Sequence, residues 1–260
     1  MKIAVLGAGA FGTALGGVLA EKGSDVSYYD SLILDSKLSD VVEDASYILF
    51  CVPSASLPHL LPHVPKDIPI IVATKGIMSS KIFDSYDDWM VLSGPGFADD
   101  IKNGRETLLT ATDARIIELL ETEYLKFDFT EDKVGVLLCG ALKNIYAIEA
   151  GYLRLERDTA DWSDYIKRVI LEMKEILKLN GADANTVDLS CGISDLKLTC
   201  GLPSRNFEYG LKLADDAHYL PEKTVEGLSA IKRVLEGEIK VPDKAEIMKR
   251  ILSNRASAVS

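Results

Sequence analysis

Cationic residues are in short supply in this chain: 29 Lys+Arg stand against 40 Asp+Glu over 260 residues, a formal charge of −11. That deficit argues against general nucleic-acid binding, whose affinity comes from Lys and Arg neutralising phosphates. An anionic small molecule stays admissible if a few basic residues converge locally against the overall field. Cysteine is sparse as well. Cys51, Cys139, Cys191 and Cys200 show no CxxC spacing and have apolar or small neighbours, which makes them reduced, buried thiols and excludes a disulfide or zinc framework. Of the three histidines, His59 and His63 lie four apart beside Pro58 and Pro62 without a third ligand near in sequence, and His218 stands alone; all three read as surface side chains, and no metal is expected. Long apolar runs are lacking outside the N-terminal stretch, so a bilayer span of ~20 residues is not expected. The stretch from Lys2 to Ala20 contains Gly7, Gly9, Gly12, Gly16 and Gly17, a density that suits a tight turn better than a signal peptide. The expectation is a cytoplasmic protein with no membrane or nucleic-acid partner.

The remainder is the composition of an ordinary folded protein, 47% hydrophobic and 27% charged. At roughly 150 residues per domain, the length suggests one large or two modest domains. Short apolar runs at 2–6, 25–29, 47–52, 68–74, 89–93 and 107–112 alternate with helical or loop segments. This is the pattern of βαβ units in a parallel sheet buried on both faces. Ligands of such sheets sit at the strands' carboxyl ends, here Gly7–Gly12, Asp30, Pro53-Ser54, Lys75-Gly76 and Gly94-Pro95-Gly96. Near residue 130 the pattern changes. Residues 134–151 are small and apolar, 161–180 place Trp162, Tyr165, Ile166, Val169, Met173, Ile176 and Leu177 at helical spacing, and 224–236 and 243–255 are amphipathic. The predicted architecture is an α/β fold, with an N-terminal Rossmann-type parallel sheet domain over 1–130, an all-α domain over 131–260 and one cleft. The 161–179 helix fits either core or the face of a homodimer. The acidic run from Asp84 to Asp88 reads as a solvated loop.

Gly7-Ala8-Gly9-Ala10-Phe11-Gly12 is a GxGxxG that follows a strand and opens a helix. Its glycines permit the turn and let a pyrophosphate approach the helix N-terminus, where free N–H groups and the dipole favour an anion. Asp30 lies 18 residues after Gly12 at the end of the second strand, where a carboxylate accepts from a ribose 2′-OH and repels a 2′-phosphate. Ser31 beside it brings no positive charge, so NAD is favoured, with NADP second. In the other half, Lys143 has Cys139, Gly140, Tyr146 and Ala147 as helical neighbours. Such a lysine either snorkels outward or points into a cavity, where desolvation lowers its pKa and lets it exchange protons near neutrality. Asp195 and Thr199 share a face if that segment is helical. Beyond Gly201 and Pro203, the donors of Ser204, Arg205 and Asn206 form a candidate anion clamp or, equally, a solvated loop.

These blocks resemble the bacterial NAD(P)-dependent glycerol-3-phosphate dehydrogenases over residues 1 to roughly 235. The quoted matches are Gly7-Ala-Gly-Ala-Phe-Gly-Thr-Ala-Leu15, Val52-Pro-Ser54, Ala73-Thr-Lys-Gly-Ile77, Leu92-Ser-Gly-Pro-Gly-Phe-Ala98, Cys139-Gly-Ala-Leu-Lys-Asn144, Ala147-Ile-Glu-Ala-Gly151, Asp195-Leu, Leu198-Thr-Cys200, Ser204-Arg-Asn206 and Val225-Glu-Gly227. The resemblance implies reduction of dihydroxyacetone phosphate with Lys143 as proton donor and acceptor, supported by Asp195. It implies a substrate site of Lys75, Gly94, Gly96, Asn144, Thr199, Ser204, Arg205 and Asn206 around that pair. It further implies dinucleotide contacts from Gly7, Gly9, Ala10, Phe11, Gly12, Asp30, Ser31, Pro53, Lys75, Ala98, Arg205 and Glu226.

The chain also departs from the family's pattern. It is abbreviated between Asp30 and Asp44, and Ser31 stands where the family has Arg or His. Gly96 replaces a serine, Thr159-Ala-Asp-Trp162 replaces Asn-x-Arg-Ala-Ala, Gly192-Ile-Ser-Asp-Leu196 replaces Gly-Leu-Gly-Asp-Leu, and Phe207 replaces a basic residue. Two other readings stay open at this point. One is a relative acting on another small oxo-acid such as ketopantoate, which would have no need of Asp195 with Arg205-Asn206. The other is a paralogue that binds dinucleotide without turnover, motivated by Gly96, Asp161 and Phe207.

Overall fold

A computed structural model describes every residue except Ile77, Met78 and Ser260, with side chains described as far as Ser253. Ile77, the last residue of the Ala73–Ile77 block, therefore lies outside the described residues. The chain divides into two units, Met1–Thr74 with Ser80–Lys133, and Lys75–Ser79 with Val134–Ser260.

The first unit is built on seven strands: β1 (Lys2–Leu6), β2 (Asp25–Tyr29), β3 (Tyr47–Phe50), β4 (Ile70–Val72), β5 (Trp89–Ser93), β6 (Thr107–Ala111) and β7 (Leu125–Phe129). Their order is β2-β1-β3-β4-β5-β6-β7. Ile3 to Leu6 are fully buried because β1 has a neighbour on each side and side chains packed on both faces. Leu6 is in register with both Tyr29 and Phe50, so Gly7, Asp30 and Cys51 leave the sheet at one level. Helices α1 (Ala10–Glu21), α2 (Leu38–Val42), α3 (Leu57–Leu60), α4 (Ala98–Lys102) and α5 (Ala114–Leu120) connect the strands. The five strands β1 to β5 are parallel, but β6 runs antiparallel to β5 and β7 continues parallel to β6. An antiparallel pair needs no long crossover, and the β5–β6 connection contains only the five-residue α4. Strand β7, with its alternating Leu-Lys-Phe-Asp-Phe, is an addition to the six runs seen in the sequence.

The Asp84 to Asp88 stretch is a loop, yet it is anchored. Tyr86 is buried and donates its hydroxyl to the Leu61 carbonyl, and Asp88 is forked by Arg115, which also holds Asp113. The paired guanidinium holds both carboxyls below their usual range. His59, His63 and His218 are exposed.

The second unit is helical: α6 (Lys133–Tyr152), α7 (Ala160–Leu179), α8 (Asp195–Thr199), α9 (Arg205–Asp215), α10 (Glu226–Leu235) and α11 (Glu246–Val259). A helix apolar all round belongs inside a protein or inside a membrane. Contrary to the sequence expectation, α6 is a 20-residue helix long and apolar enough to cross a membrane, but 94% of its most apolar window is buried within the protein. Helix α9 crosses it at backbone distance: a Cβ on Gly210 would stand 2.0 Å from the Ile148 carbonyl oxygen, and one on Gly151 2.0 Å from that of Phe207. On α7 the aromatics face inward, with Trp162 and Tyr165 buried and the Tyr165 hydroxyl donating to the Tyr146 carbonyl at 2.7 Å. The Glu172 carboxylate caps α11, accepting from the backbone N–H of Ile247 (2.7 Å) and Met248 (3.1 Å).

Candidate functional site

In the first unit the glycine turn has the shape that a phosphate cradle requires. Gly7 has φ +105°, which L side chains rarely adopt, and a Cβ there would be 2.7 Å from the Cys51 carbonyl oxygen. A Cβ on Gly12 would fall 2.0 Å from the carbonyl oxygen of Gly7, so α1 starts directly against the turn. Gly9 differs: among the described residues nothing lies within 4 Å of the position its Cβ would take, and it caps α1 without a side-chain hydrogen bond. Open space over an uncapped helix N-terminus fits an anion, and the turn fits the pyrophosphate of a dinucleotide. Asp30 is tied into the same turn. Its Oδ2 accepts from the Ala8 N–H at 3.0 Å, and its Oδ1 accepts from the Leu32 N–H at 3.0 Å. The carboxylate therefore stands half-buried beside the turn with exposed Ser31 next to it, and lone pairs remain for further donors.

Other residues singled out in this unit line the neighbouring strand ends. Pro53 is exposed beyond β3, and Ala98 opens α4. Gly94 has φ +145° and passes 3.0 Å from the backbone of Leu109 as measured from its virtual Cβ. Gly96 is closely surrounded: a Cβ there would be 3.1 Å from the Phe11 ring and 3.2 Å from the Leu109 side chain. A serine there would need the Phe11 ring and the Leu109 side chain to give by a few tenths of an ångström.

In the second unit the fold settles the alternatives for Lys143: it does not snorkel. Its side chain is 3% exposed and its Nζ pairs with Oδ2 of Asp195, itself 2% exposed. Lys75 Nζ stands 3.5 Å from the same oxygen. Burial brings the Lys143 pKa down from 10.5 to about 7; the Asp195 charge pulls upward and the nearby Lys75 pushes downward. The expected Asp195/Thr199 face exists. Thr199 donates its hydroxyl to the Asp195 carbonyl at 2.6 Å and approaches the carboxylate at 3.4 Å.

Ser204 caps α9 by accepting from the Phe207 N–H at 3.4 Å, which exposes Arg205 in the first turn with its Nη1 reaching the Thr224 carbonyl at 3.4 Å. Asn206 points inward. Its Nδ2 donates to Asn144 Oδ1 at 2.9 Å and its Oδ1 accepts from the Gly227 N–H at 2.9 Å, while Asn144 donates to the Gly140 carbonyl at 3.1 Å. These two amides thus join α6, α9 and the start of α10, where Glu226 is the first residue. Phe207, at the position where the resembling family has a cation, is buried at 5% exposure, with its backbone carbonyl beside Gly151 of α6. Among the described residues no group of three His, Cys, Asp or Glu could hold a metal ion.

Sequence reasoning missed the ion pair of Lys75 with Asp195 and two donors to α8. Arg157 Nη2 donates to the Leu198 carbonyl at 3.0 Å, and Trp162 Nε1 to that of Cys200 at 2.8 Å. A non-family residue in the Thr159–Trp162 window was the only available signal, and it said nothing about the bond.

A family profile described as NAD-dependent glycerol-3-phosphate dehydrogenase N-terminus matches residues 2–32, and its C-terminus counterpart matches 132–255. The glycerol-3-phosphate dehydrogenase [NAD(P)+] of Leptospira biflexa is 33% identical over 289 aligned positions, covering 91% of this chain and 85% of that one. That of Maridesulfovibrio salexigens is 35% identical, covering 82% and 80%. A crystal structure of glycerol-3-phosphate dehydrogenase from Coxiella burnetii superposes with a TM-score of 0.80 at 26% identity, covering 99% of this chain and 97% of that one.

Proposed function

Because this chain belongs to the NAD(P)-dependent glycerol-3-phosphate dehydrogenase family, we propose that it interconverts dihydroxyacetone phosphate and sn-glycerol 3-phosphate, with Lys143 moving the proton at the C2 oxygen. The observation that carries this reading is a lysine buried to 3% exposure, held by a carboxylate, with a pKa brought to about 7. When bound, the nicotinamide supplies or accepts the hydride. Protonated Lys143 donates to the C2 oxygen as the carbonyl is reduced, and the neutral amine takes that proton back in the reverse direction. Asp195 holds Nζ in place and favours the charged form. Arg205, exposed at the start of α9 beside the Ser204 hydroxyl, suits the substrate phosphate as a fork, and Lys75 adds a second cation near Asp195. Asn144 and Asn206 keep these elements together while retaining unused lone pairs and hydrogens for the substrate.

The turn from Gly7 to Gly12 and the first-turn residues Ala10 and Phe11 hold the dinucleotide in this reading. Asp30 accepts from the ribose and, with uncharged Ser31, disfavours a 2′-phosphate, so NAD is preferred over NADP. None of the four cysteines is in a disulfide, which supports a cytoplasmic setting.

The test is dihydroxyacetone-phosphate-dependent oxidation of NADH, run beside NADPH and with Lys143→Ala as the control. Turnover with NADH, lost by at least ~10³-fold in the variant while NADH binding persists, is the expected outcome. Turnover that survives in Lys143→Ala removes the lysine from its role. Dinucleotide binding without turnover of this substrate by the wild type favours a silent paralogue or another oxo-acid.

A further inference from the structure

Helix α8 has five residues, Asp195–Thr199, and follows a π-helical turn over Ser190–Ser194. A helix of that length has almost no stability of its own, and its last carbonyls have no partner further along the helix. Yet its first residue is the carboxylate that pairs with Lys143, about 6 Å along the axis from its last. Whatever holds the C-terminal end of α8 therefore sets where Asp195 stands.

Two side chains from one segment hold it. Arg157 donates from Nη2 to the Leu198 carbonyl at 3.0 Å, and the Trp162 indole donates from Nε1 to the Cys200 carbonyl at 2.8 Å. Trp162 is 6% exposed, and its own position is set by Thr159, which caps α7 by accepting from the Trp162 N–H at 3.3 Å. Gly201 makes room for the guanidinium, since a Cβ there would stand 2.7 Å from Arg157 Nη2. Arg157 lies in the link between α6, the helix of Lys143, and α7, and Trp162 is in the first turn of α7. Of the two donors, Trp162 falls within the Thr159–Trp162 departure from the family's pattern.

We propose that Arg157 and Trp162 are positioning residues for the reacting pair, holding the end of α8 so that Asp195 stays against Lys143. The proposal rests on the assignment of Lys143 and Asp195 given above. It goes beyond that assignment in giving function to two residues outside the substrate and cofactor sites. Neither touches the reacting atoms; both act through α8.

The variants are Trp162→Phe, which keeps the ring and removes the N–H, Arg157→Ala with Arg157→Lys as the conservative rescue, and Gly201→Ala, which crowds the guanidinium. Two readouts are taken on each: kcat and KM across pH with NADH and dihydroxyacetone phosphate, and titration of Lys143 by 13C NMR of lysine-labelled protein, its signal assigned by Lys143→Met. Trp162→Phe and Arg157→Ala are expected to lower kcat by about 10-fold each, with KM for the substrate changed by less than about 2-fold. The Lys143 titration is expected to move to lower pH, because the attraction of Asp195 is what raises it. Arg157→Lys recovers most of the loss, and Gly201→Ala reproduces Arg157→Ala. A wild-type titration and wild-type kcat in Trp162→Phe and Arg157→Ala overturn the proposal, as does a loss of activity that merely follows a lower folded fraction with the titration unmoved. If the wild type fails to turn over this substrate, the dehydrogenase reading fails, and the NMR titration still decides whether the two donors position the pair.

Discussion

At the scale of single residues, Lys143 shows how burial can bring the pKa of a common surface residue down to near neutrality. An exposed lysine stays charged far above neutrality and has little to give or take at pH 7. Enclosed by α6 and α8, this one loses the hydration of its charged form, and the nearby Asp195 restores only part of that loss. The sign of the pH dependence follows. In the proposed role, reduction of dihydroxyacetone phosphate needs the protonated amine, so its kcat is expected to fall as pH rises through about 7; oxidation of glycerol 3-phosphate needs the neutral amine and is expected to rise through the same region. Asp195→Asn removes the upward pull and moves both midpoints to lower pH. Profiles of the two directions that run in parallel, or that Asp195→Asn leaves in place, would rule Lys143 out as the titrating group. Stability has its own window. Between about 7 and 10.5 the unfolded chain holds a proton on this lysine that the folded chain does not, so this residue's contribution to stability increases with pH over that range.

At the scale of elements, close approach of helices does the positioning. Helices α6 and α9 cross where glycines remove the side chains between them, and this brings Asn206 to Asn144 and the Phe207 backbone beside Gly151. Gly210 decides between two opposed effects. Alanine is favoured over glycine in a helix interior by about 1 kcal/mol, but at this site its methyl would overlap the Ile148 carbonyl oxygen at 2.0 Å. Overpacking against backbone wins, and Gly210→Ala is expected to destabilise the protein by about 3 kcal/mol, read as a lower urea midpoint. An unchanged or higher midpoint would mean that α9 shifts freely along α6. The GxGxxG turn was open to reading because its constraint is local: a positive φ and a helix start are written in adjacent residues. Helix α8 was less open. Its i, i+4 pair was visible, but five residues carry too little periodicity to show what holds them, and the indole of Trp162 comes from 38 positions away.

At the scale of the whole molecule, the charge of −11 sets a repulsive field for an anionic substrate. The local cations that would receive the phosphate, Arg205 and Lys75, act over a few ångströms, inside the ~8 Å screening length of physiological salt. Added salt therefore weakens the long-range repulsion first. Between ~0.01 and ~0.15 M NaCl, kcat/KM for dihydroxyacetone phosphate is expected to rise by roughly 2- to 3-fold. A steady fall over that range would show that attraction by the local cluster reaches further than the net field.

The sequence by itself determined the alternation of strands and helices, the turn from Gly7 to Gly12, the acid at Asp30 and the switch to helices beyond residue 130, because each is dictated by neighbours a few positions apart. It also carried the family's blocks in order. Tertiary structure alone decided that the sixth strand reverses, since direction in a sheet depends on the length and packing of a connection. It alone decided that Lys143 turns inward to Asp195 and that Phe207 is buried. Both outcomes come from residues distant in sequence excluding water from one place, and the energy of a buried charge depends on that exclusion more than on its neighbours along the chain.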